Sequence, residues 1–237
     1  MKMKQHMLIV AALVGAVQIA TAGDITGKIT FKGAPAPEQE LPLDPGCGKL
    51  HSTKPKTRFY VLGAGGELAD VFVYIKDGLT GKTFEVPAAG AELDQRGCEY
   101  LPYVSGLQVK QKLSVKNSDP VLHNLHVSPG AGSGNKESNK AQMTGSKAMD
   151  YTFDSPEVFL KFKCDVHPWM FAYVGVLEHP FYAVTGKDGT FAIKNVPAGK
   201  YTVEAVHRKT HPSGKGESKE ATVGAAGAKV DFVIEKK

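Results

Sequence analysis

The fold is decided by the stretch Val158-Phe159-Leu160-Lys161-Phe162-Lys163-Cys164-Asp165-Val166-His167-Pro168-Trp169-Met170-Phe171-Ala172-Tyr173-Val174-Gly175-Val176-Leu177-Glu178. Its two ends are rich in apolar, aromatic and β-branched residues, and each end is predicted to be a strand. The loop between them carries a thiol, an imidazole and a thioether within seven consecutive residues, at Cys164, His167 and Met170. These groups bind soft transition metals, so the sequence predicts a metal site between two strands.

A second imidazole comes from the sequence Leu122-His123-Asn124-Leu125-His126, which follows a turn signal at residues 117–120. Two His, one Cys and a weak axial Met are the ligands of a blue-copper electron-transfer site, whereas zinc takes Cys and His but seldom Met. We therefore expect one mononuclear type 1 copper site. The alternatives are another metal or a purely structural role for these residues. The four expected ligands are His123, Cys164, His167 and Met170.

Three further histidines are expected to lie outside this ligand set, at His126, His179 and His207. Because side chains alternate between the two faces of a strand, His126 points away from a metal bound by His123 unless a bulge intervenes. We expect His126 at the surface or beside the site, and the other two in structural positions. The sequence assigns none of them a definite role.

The three cysteines differ in their surroundings. Cys47 and Cys98 both lie beside glycines in turn-like stretches and are natural disulfide partners, which leaves Cys164 unpaired. In an oxidising compartment an odd cysteine needs a reason to survive as a thiolate, and metal ligation supplies one. This pairing agrees with the metal hypothesis.

The N-terminus predicts export. Two lysines precede the apolar run at residues 7–17, and residues 20–22 are small enough for cleavage. We expect residues 1–22 to be a signal peptide cut after Ala22, which gives a periplasmic or secreted protein without a membrane span. Its removal lowers the formal net charge from +5 to +3. The remaining lysines are scattered, so they give no argument for binding nucleic acid.

Strand patterns recur along the rest of the chain, and no segment has a helical period, so we predict an all-β protein. The alternation at residues 25–31 and the apolar run at residues 69–75 are two examples. Residues 100–104 and 109–116 are also predicted to be strands. Residues 128–148 are rich in Gly, Ser, Asn and Lys and are predicted to form a long polar loop.

Residues 90–180 resemble the cupredoxin (blue copper) family, and the spacing Cys-x-x-His-x-x-Met is most similar to its amicyanin- and plastocyanin-like members. The resemblance implies a Greek-key β-sandwich in which the first His reaches across from a separate strand. It also implies that Asn124 supports the cysteine loop by hydrogen bonding. Redox protein partners are expected to dock on a hydrophobic patch around the loop His, where Trp169 either belongs to the patch or plugs the core beneath it. The patch candidates are Pro168, Trp169 and Phe171.

Residues 181–237 resemble a smaller sandwich, the carboxypeptidase-regulatory-like (transthyretin-like) domain. The resemblance implies architecture rather than chemistry. One hypothesis is that residues 24–88 complete this sandwich and that the copper domain is inserted between the two parts; the alternative is two consecutive domains. The residues that match the family pattern are Thr185, Asp188, Gly189, Phe191, Pro197, Gly199, Tyr201 and Thr202.

These predictions favour an exported one-electron carrier that acts between redox partners. We expect it not to be an enzyme, because protein groups fill all four ligand positions and leave none open for a substrate. The chain also has no Gly-x-Ser-x-Gly motif and no additional His pairs for a second copper centre. The alternative is a non-redox binding or structural module, or a copper carrier, that uses the β-sandwich for docking.

Overall fold

The computed structural model describes residues 22–236. The expected signal peptide lies outside the described residues except for Ala22. In the described part of the chain, strands dominate and the single helix is one turn long, so the all-β prediction is confirmed. Within residues 22–236, helical structure of the length and hydropathy needed to cross a bilayer does not occur.

The elements are, in chain order, β1 (Ala22–Lys32), α1 (Pro45–Gly48), β2 (Val71–Asp77), β3 (Ala91–Gln95), β4 (Tyr100–Leu101), β5 (Val104–Gln108), β6 (Leu113–Asn117), β7 (His123–Ser128), β8 (Ser138–Gln142), β9 (Met149–Tyr151), β10 (Glu157–Lys163), β11 (Phe171–Leu177), β12 (Tyr182–Val184), β13 (Thr190–Pro197), β14 (Gly199–His207), β15 (Glu217–Val223), β16 (Ala228–Lys229) and β17 (Phe232–Glu235).

Two of the four sheets enclose one hydrophobic core. The first has the order β13-β1-β16, with β17 also paired to β1, and the second has the order β12-β2-β14-β15. Alternate residues of β1, such as Ile25 and Ile29, meet Val73 and Val203 of the facing sheet in this core. The two ends of the chain therefore build this sandwich together, because β1 pairs with β13 and β2 pairs with β14. Its identity as a carboxypeptidase-regulatory-like domain stays a prediction.

The other two sheets enclose a second core. One has five strands in the order β5-β11-β10-β7-β8, and the other has four in the order β4-β3-β6-β9. Leu125, Phe162 and Val174 of the five-stranded sheet are buried in one cluster with Leu93 and Val115 of the four-stranded sheet. The strands that lead into the candidate metal site, β7, β10 and β11, are neighbours in the five-stranded sheet.

The two sandwiches meet through the outer faces of β2 and β11. Along β2, Val73 and Ile75 face the first core, whereas Phe72 and Tyr74 join a separate buried cluster with Leu177 at the end of β11. Both faces of β2 are thus covered, which explains why its sequence is an unbroken apolar run rather than an alternation. The five-stranded sheet is likewise covered on both sides at β11.

Three strand boundaries differ from the sequence predictions. The predicted strand at 100–104 is two strands, because residues 102 and 103 form a bend between β4 and β5. The predicted strand at 109–116 begins only at Leu113, since Lys110 takes a positive φ in the preceding turn. The predicted loop at 128–148 contains β8, a mostly exposed edge strand whose polar sequence carries no apolar alternation.

Candidate metal centre

The ends of three neighbouring strands position the expected ligands. β7 begins at His123, β10 ends one residue before Cys164, and β11 begins one residue after Met170. Two backbone hydrogen bonds close the loop between β10 and β11, from Cys164 N to Met170 O at 3.0 Å and from Met170 N to His167 O at 2.9 Å. The loop is therefore a tight turn held between paired strands, and the side chains of Cys164 and His167 reach residues at the start of β7.

Three of the expected ligands converge on one point. His123 Nδ1 lies 3.1 Å from His167 Nδ1, and Cys164 Sγ lies 3.5 Å from the same His167 nitrogen. One ligand atom from each of these residues lies within 4.8 Å of the others. Met170 is buried in the same cluster as Cys164. The structure thus brings together two imidazoles and a thiol, with the thioether of the same loop buried in the core beside them.

All four side chains are shielded from solvent. The exposed fractions are 0% for His123, 2% for Cys164, 5% for His167 and 1% for Met170. Burial of this degree excludes bulk water from competing for the donor atoms. It also means that a bound ion would sit just inside the protein surface and would not exchange freely with solvent.

A carboxylate holds the outer nitrogen of each imidazole. His123 Nε2 lies 2.8 Å from Asp119 Oδ2, and His167 Nε2 lies 3.2 Å from Asp44 Oδ2. An ionised carboxylate only accepts hydrogen bonds, so the Nε2 of each neutral ring carries the hydrogen and the Nδ1 presents a lone pair. The two lone pairs then face each other across 3.1 Å. Such an arrangement repels unless a cation or a proton lies between the two nitrogens.

The pKa shifts of Cys164 and His123 favour a thiolate beside a positive charge, whereas burial, followed by the charge of His123, lowers the pKa of His167. Burial opposes ionisation of Cys164, but hydrogen bonds from the protonated ring of His123 and from the backbone amide of Asn124 hold the pKa of the thiol below its ordinary value. Burial also acts against the protonated form of His123, yet hydrogen bonds to Asp119 and Cys164 raise the pKa of this imidazole. The thiolate is the form that binds metals, and bound metal displaces protons of this kind.

The donor spacing fits a single ion. Metal bonds of about 2.0 Å to an imidazole nitrogen and about 2.3 Å to a thiolate sulfur allow two ligands of one ion to lie up to about 4 Å apart. The observed donor separations of 3.1 and 3.5 Å fall within this limit. The donor set is two nitrogens and a thiolate, with the thioether of Met170 in the same buried cluster as the thiol, and is the kind of set that favours copper among the first-row metals.

Asn124 contacts the cysteine loop twice. Its backbone N–H donates to Cys164 Sγ at 3.2 Å, and its side-chain Oδ1 accepts from Asp165 N at 3.1 Å. Tyr100, from β4, adds a third tie, since its hydroxyl donates to Asn124 O at 2.7 Å. These contacts fix the sulfur against the start of β7. The role of Asn124 as a support for metal ligands stays a prediction.

The other three histidines of the sequence predictions lie outside the cluster of His123, Cys164 and His167. His126 holds Asp165 Oδ2 at 2.7 Å with one ring nitrogen and Glu137 Oε1 at 2.6 Å with the other. His179 stacks on Phe181, and His207 lies against Tyr60. Within residues 22–236, none of the three shares a potential metal-binding group with Cys164.

The three patch candidates have different environments. Pro168 is exposed, whereas Trp169 is half-buried, with its ring centroid 5.2 Å from that of His167 and its Nε1–H donating to Cys98 O at 3.1 Å. Phe171 packs beside Tyr103 in the cluster between the two sandwiches. The exposed apolar side chains near the ligands include Leu122 and Val166, which are 39% and 52% exposed and directly precede His123 and His167.

Sequence reasoning did not single out Asp44 or Asp119. Asp119 lies in the predicted turn at 117–120, four residues before His123, and Asp44 lies three residues before Cys47. An acid in the turn that delivers a ligand histidine is a usable signal for Asp119. No local signal identifies Asp44, because a disulfide between Cys47 and Cys98 brings it to the site from a distant segment.

Comparison with protein-family models found no match, and the search of curated proteins also found none. Three similar solved structures are a copper-containing nitrite reductase from Thermus scotoductus SA-01, a purple cupredoxin from Nitrosopumilus maritimus and an oxidised mutant of amicyanin. Their sequence identities to this chain are 19%, 22% and 21%, and their TM-scores are 0.34, 0.31 and 0.33.

The matched regions are partial. They cover 44% of this chain and 27% of the nitrite reductase, 36% of this chain and 98% of the purple cupredoxin, and 44% of this chain and 97% of the amicyanin. The match therefore spans about a quarter of the length of the nitrite reductase. At these identities and TM-scores, the similarities assign neither a metal nor an activity to this chain.

Proposed function

We propose that this protein is a mononuclear type 1 copper protein that carries single electrons between redox partners. The observation that carries the proposal is the facing pair of Nδ1 atoms on His123 and His167, with Cys164 Sγ 3.5 Å from the second of them. The ligands would be His123, Cys164, His167 and, as the weakest donor, Met170. Bound copper would supply a centre that takes up and releases one electron.

The protein's own residues supply the rigidity that such a centre needs. Backbone bonds within the loop fix Met170 relative to Cys164 and His167, and the Asn124 amide fixes the cysteine sulfur. The carboxylates of Asp44 and Asp119 orient the two imidazoles and keep their Nδ1 atoms free of hydrogen. Ligands held in this way move little when the charge of the ion changes, which favours fast electron transfer.

Burial of the ligands favours an electron carrier over a copper carrier or an enzyme. A copper carrier needs ligands that a partner can reach and exchange, but the four side chains are almost completely buried. A substrate that binds directly to the metal needs an open coordination position. If four protein donors occupy the coordination positions, an electron can pass to a partner through the protein surface and no substrate needs to bind the metal. Redox proteins are the proposed partners, with the exposed Val166 and Pro168 beside His167 on the side of approach.

The proposal includes export. The disulfide between Cys47 and Cys98 supports an oxidising compartment, such as the periplasm or the exterior of the cell, because cytosolic thiols are kept reduced. Cys164 is free in the same protein and buried, and metal ligation is the proposed reason for its presence.

Optical spectroscopy tests this function. Mature protein titrated with Cu(II) is expected to turn intensely coloured through a thiolate-to-copper band, and Cys164→Ala is expected to lose that band. Met170→Ala should shift the band, because it removes the thioether donor, whereas Met143→Ala is the matched control, since Met143 is 58% exposed. A colourless copper complex of the wild-type protein would reject the electron-carrier proposal.

A further inference from the structure

The two carboxylates behind the imidazoles are both anchored on half-cystine residues. Asp44 Oδ1 accepts from Cys47 N at 2.9 Å while its other oxygen faces His167 Nε2. Asp119 Oδ2 accepts from Cys98 N at 2.8 Å and also faces His123 Nε2. Each carboxylate therefore connects one cysteine backbone to one imidazole, Asp44 through both of its oxygens and Asp119 through Oδ2 alone.

The disulfide between Cys47 and Cys98 joins these two connections. Its two sulfurs and a ring nitrogen of His167 lie within 4.8 Å of one another. The sulfur of Cys98, a carboxylate oxygen of Asp119 and a ring nitrogen of His123 also lie within 4.8 Å of one another. Both cysteines are fully buried. The disulfide thus lies beside both imidazole rings.

We propose that the Cys47–Cys98 disulfide is a brace that positions Asp44 and Asp119, and through them both metal-binding imidazoles, and that the segment it anchors closes the outer edge of His167. The part of this inference that concerns metal affinity rests on the proposed function. The closure of the His167 edge does not rest on the proposed function, because it is a property of the folded chain with or without a bound ion.

The segment that carries Asp44 needs such an anchor. Between the end of β1 at Lys32 and the start of β2 at Val71, the only regular element in the described chain is the single turn α1. The Asp44 side chain is 44% exposed, and an ion pair at that exposure holds a loop only weakly. The covalent link to Cys98 removes the freedom that would otherwise carry the segment away from the site.

The brace also determines which side chains a partner protein can contact. With Asp44 and the disulfide beside its ring, His167 is 5% exposed although it occupies the middle of a surface loop. Its loop neighbours Val166 and Pro168 are exposed instead. A partner would therefore contact these side chains and not the imidazole edge. Because both sulfurs are fully buried, the disulfide is a permanent brace and not a thiol-sensitive switch.

The test measures access to His167 in the metal-free protein. Diethyl pyrocarbonate modifies accessible imidazoles, and mass spectrometry of peptides gives the rate at each histidine. The double variant Cys47→Ala/Cys98→Ala is expected to modify His167 several-fold faster than the wild type, while His179, far from the brace, reacts at an unchanged rate and serves as the internal reference. An unchanged His167 rate in the double variant would overturn the brace.

Asp44→Asn guards against a double variant that fails to fold. It keeps the disulfide and one acceptor oxygen for Cys47 N, but it replaces the second oxygen by a donor that cannot accept from His167 Nε2. Faster modification of His167 in this variant supports the role of the carboxylate, and an unchanged rate rejects it.

A second readout tests positioning of the ligands. Competition with a copper chelator should show copper affinity reduced by about 10- to 100-fold in either variant, the range found when outer partners of metal ligands are removed. Equal affinities in wild type and variants would overturn the positioning role. If the wild type binds no copper, the proposed function fails, whereas the rate at His167 still decides the closure of its edge.

Discussion

At the scale of single residues, two buried tyrosine hydroxyls differ in their hydrogen bonding within residues 22–236. Tyr74 donates to Glu204 Oε2 at 2.5 Å, and Glu204 is also bonded by Lys76 and Ser218. The hydroxyl of Tyr151 is buried and has no hydrogen-bond partner among residues 22–236. The same chemical change, loss of one oxygen, therefore has opposite consequences at the two positions.

We predict that Tyr74→Phe lowers the free energy of unfolding by about 1.5–3 kcal/mol, the usual contribution of a hydrogen bond to a charged group. The lower end is expected, because Lys76 and Ser218 still satisfy the carboxylate of Glu204. Tyr151→Phe is the matched control and should be neutral or slightly stabilising. Urea denaturation measures both, and equal losses would contradict this assignment.

At the same scale, the sequence was sufficient to predict that His123, Cys164 and His167 lie together, but not the carboxylates that face the two imidazoles. Cys164, His167 and Met170 form a local motif, and the strand pattern around His123 indicated that it could face them. Asp44 could not be predicted, because its place depends on a disulfide to a residue 54 positions away in the chain. The two carboxylates become meaningful only when the tertiary structure joins them to the rings.

At the scale of elements, the contact between the two sandwiches depends on glycines that let aromatic rings approach the backbone. A Cβ atom on Gly175, in β11, would lie 2.2 Å from the ring of Phe72 in β2. A Cβ atom on Gly106, in β5, would lie 2.5 Å from the ring of Tyr182 in β12. Because these two glycines have no side chain, β11 and β5 can pack closely against β2 and β12.

We predict that Gly175→Ala destabilises the protein by about 1–3 kcal/mol, because the added methyl group overlaps the buried ring of Phe72 and the sheets must shift. Gly224→Ala is the control, since a Cβ there meets no atom within 4 Å. Chemical denaturation of both variants gives the comparison. Equal stability of Gly175→Ala and wild type would mean that the sheets adjust freely.

The strands illustrate how far local sequence predicts elements. Buried strands such as β2 and β10 have strong apolar patterns and were predicted from the sequence. β8 was not, because an edge strand that pairs on one side and faces solvent shows no hydrophobic period. Its partner β7 determines its structure through backbone hydrogen bonds that do not depend on side-chain type.

At the scale of the whole molecule, the free energy of unfolding depends on pH where a buried group is uncharged in the folded state and charged in the unfolded state. His207, at the end of β14, is 1% exposed. Burial, followed by the charges of Arg208 and His211, lowers the pKa of His207 to about 3. The unfolded chain takes up a proton on this residue near its ordinary pKa of about 6.5, whereas the folded chain does not.

The folded state should therefore lose stability through His207 as the pH falls from about 6.5 to about 3, by up to about 1.4 kcal/mol per pH unit. Above pH 6.5 the residue is neutral in both states and contributes no pH dependence. We predict that His207→Gln is less stable than wild type at pH 7 and that the difference shrinks at pH 4.5. Urea denaturation at both values tests this, and a constant difference would contradict the lowered pKa.

The central claim is that His123, Cys164, His167 and Met170 surround a single copper ion, and anomalous diffraction from crystals of copper-loaded protein tests it most directly. Data collected on either side of the copper absorption edge should give one strong difference peak between the two Nδ1 atoms and the cysteine sulfur. Copper bound only at other positions, with no peak among these side chains at saturation, would contradict the account.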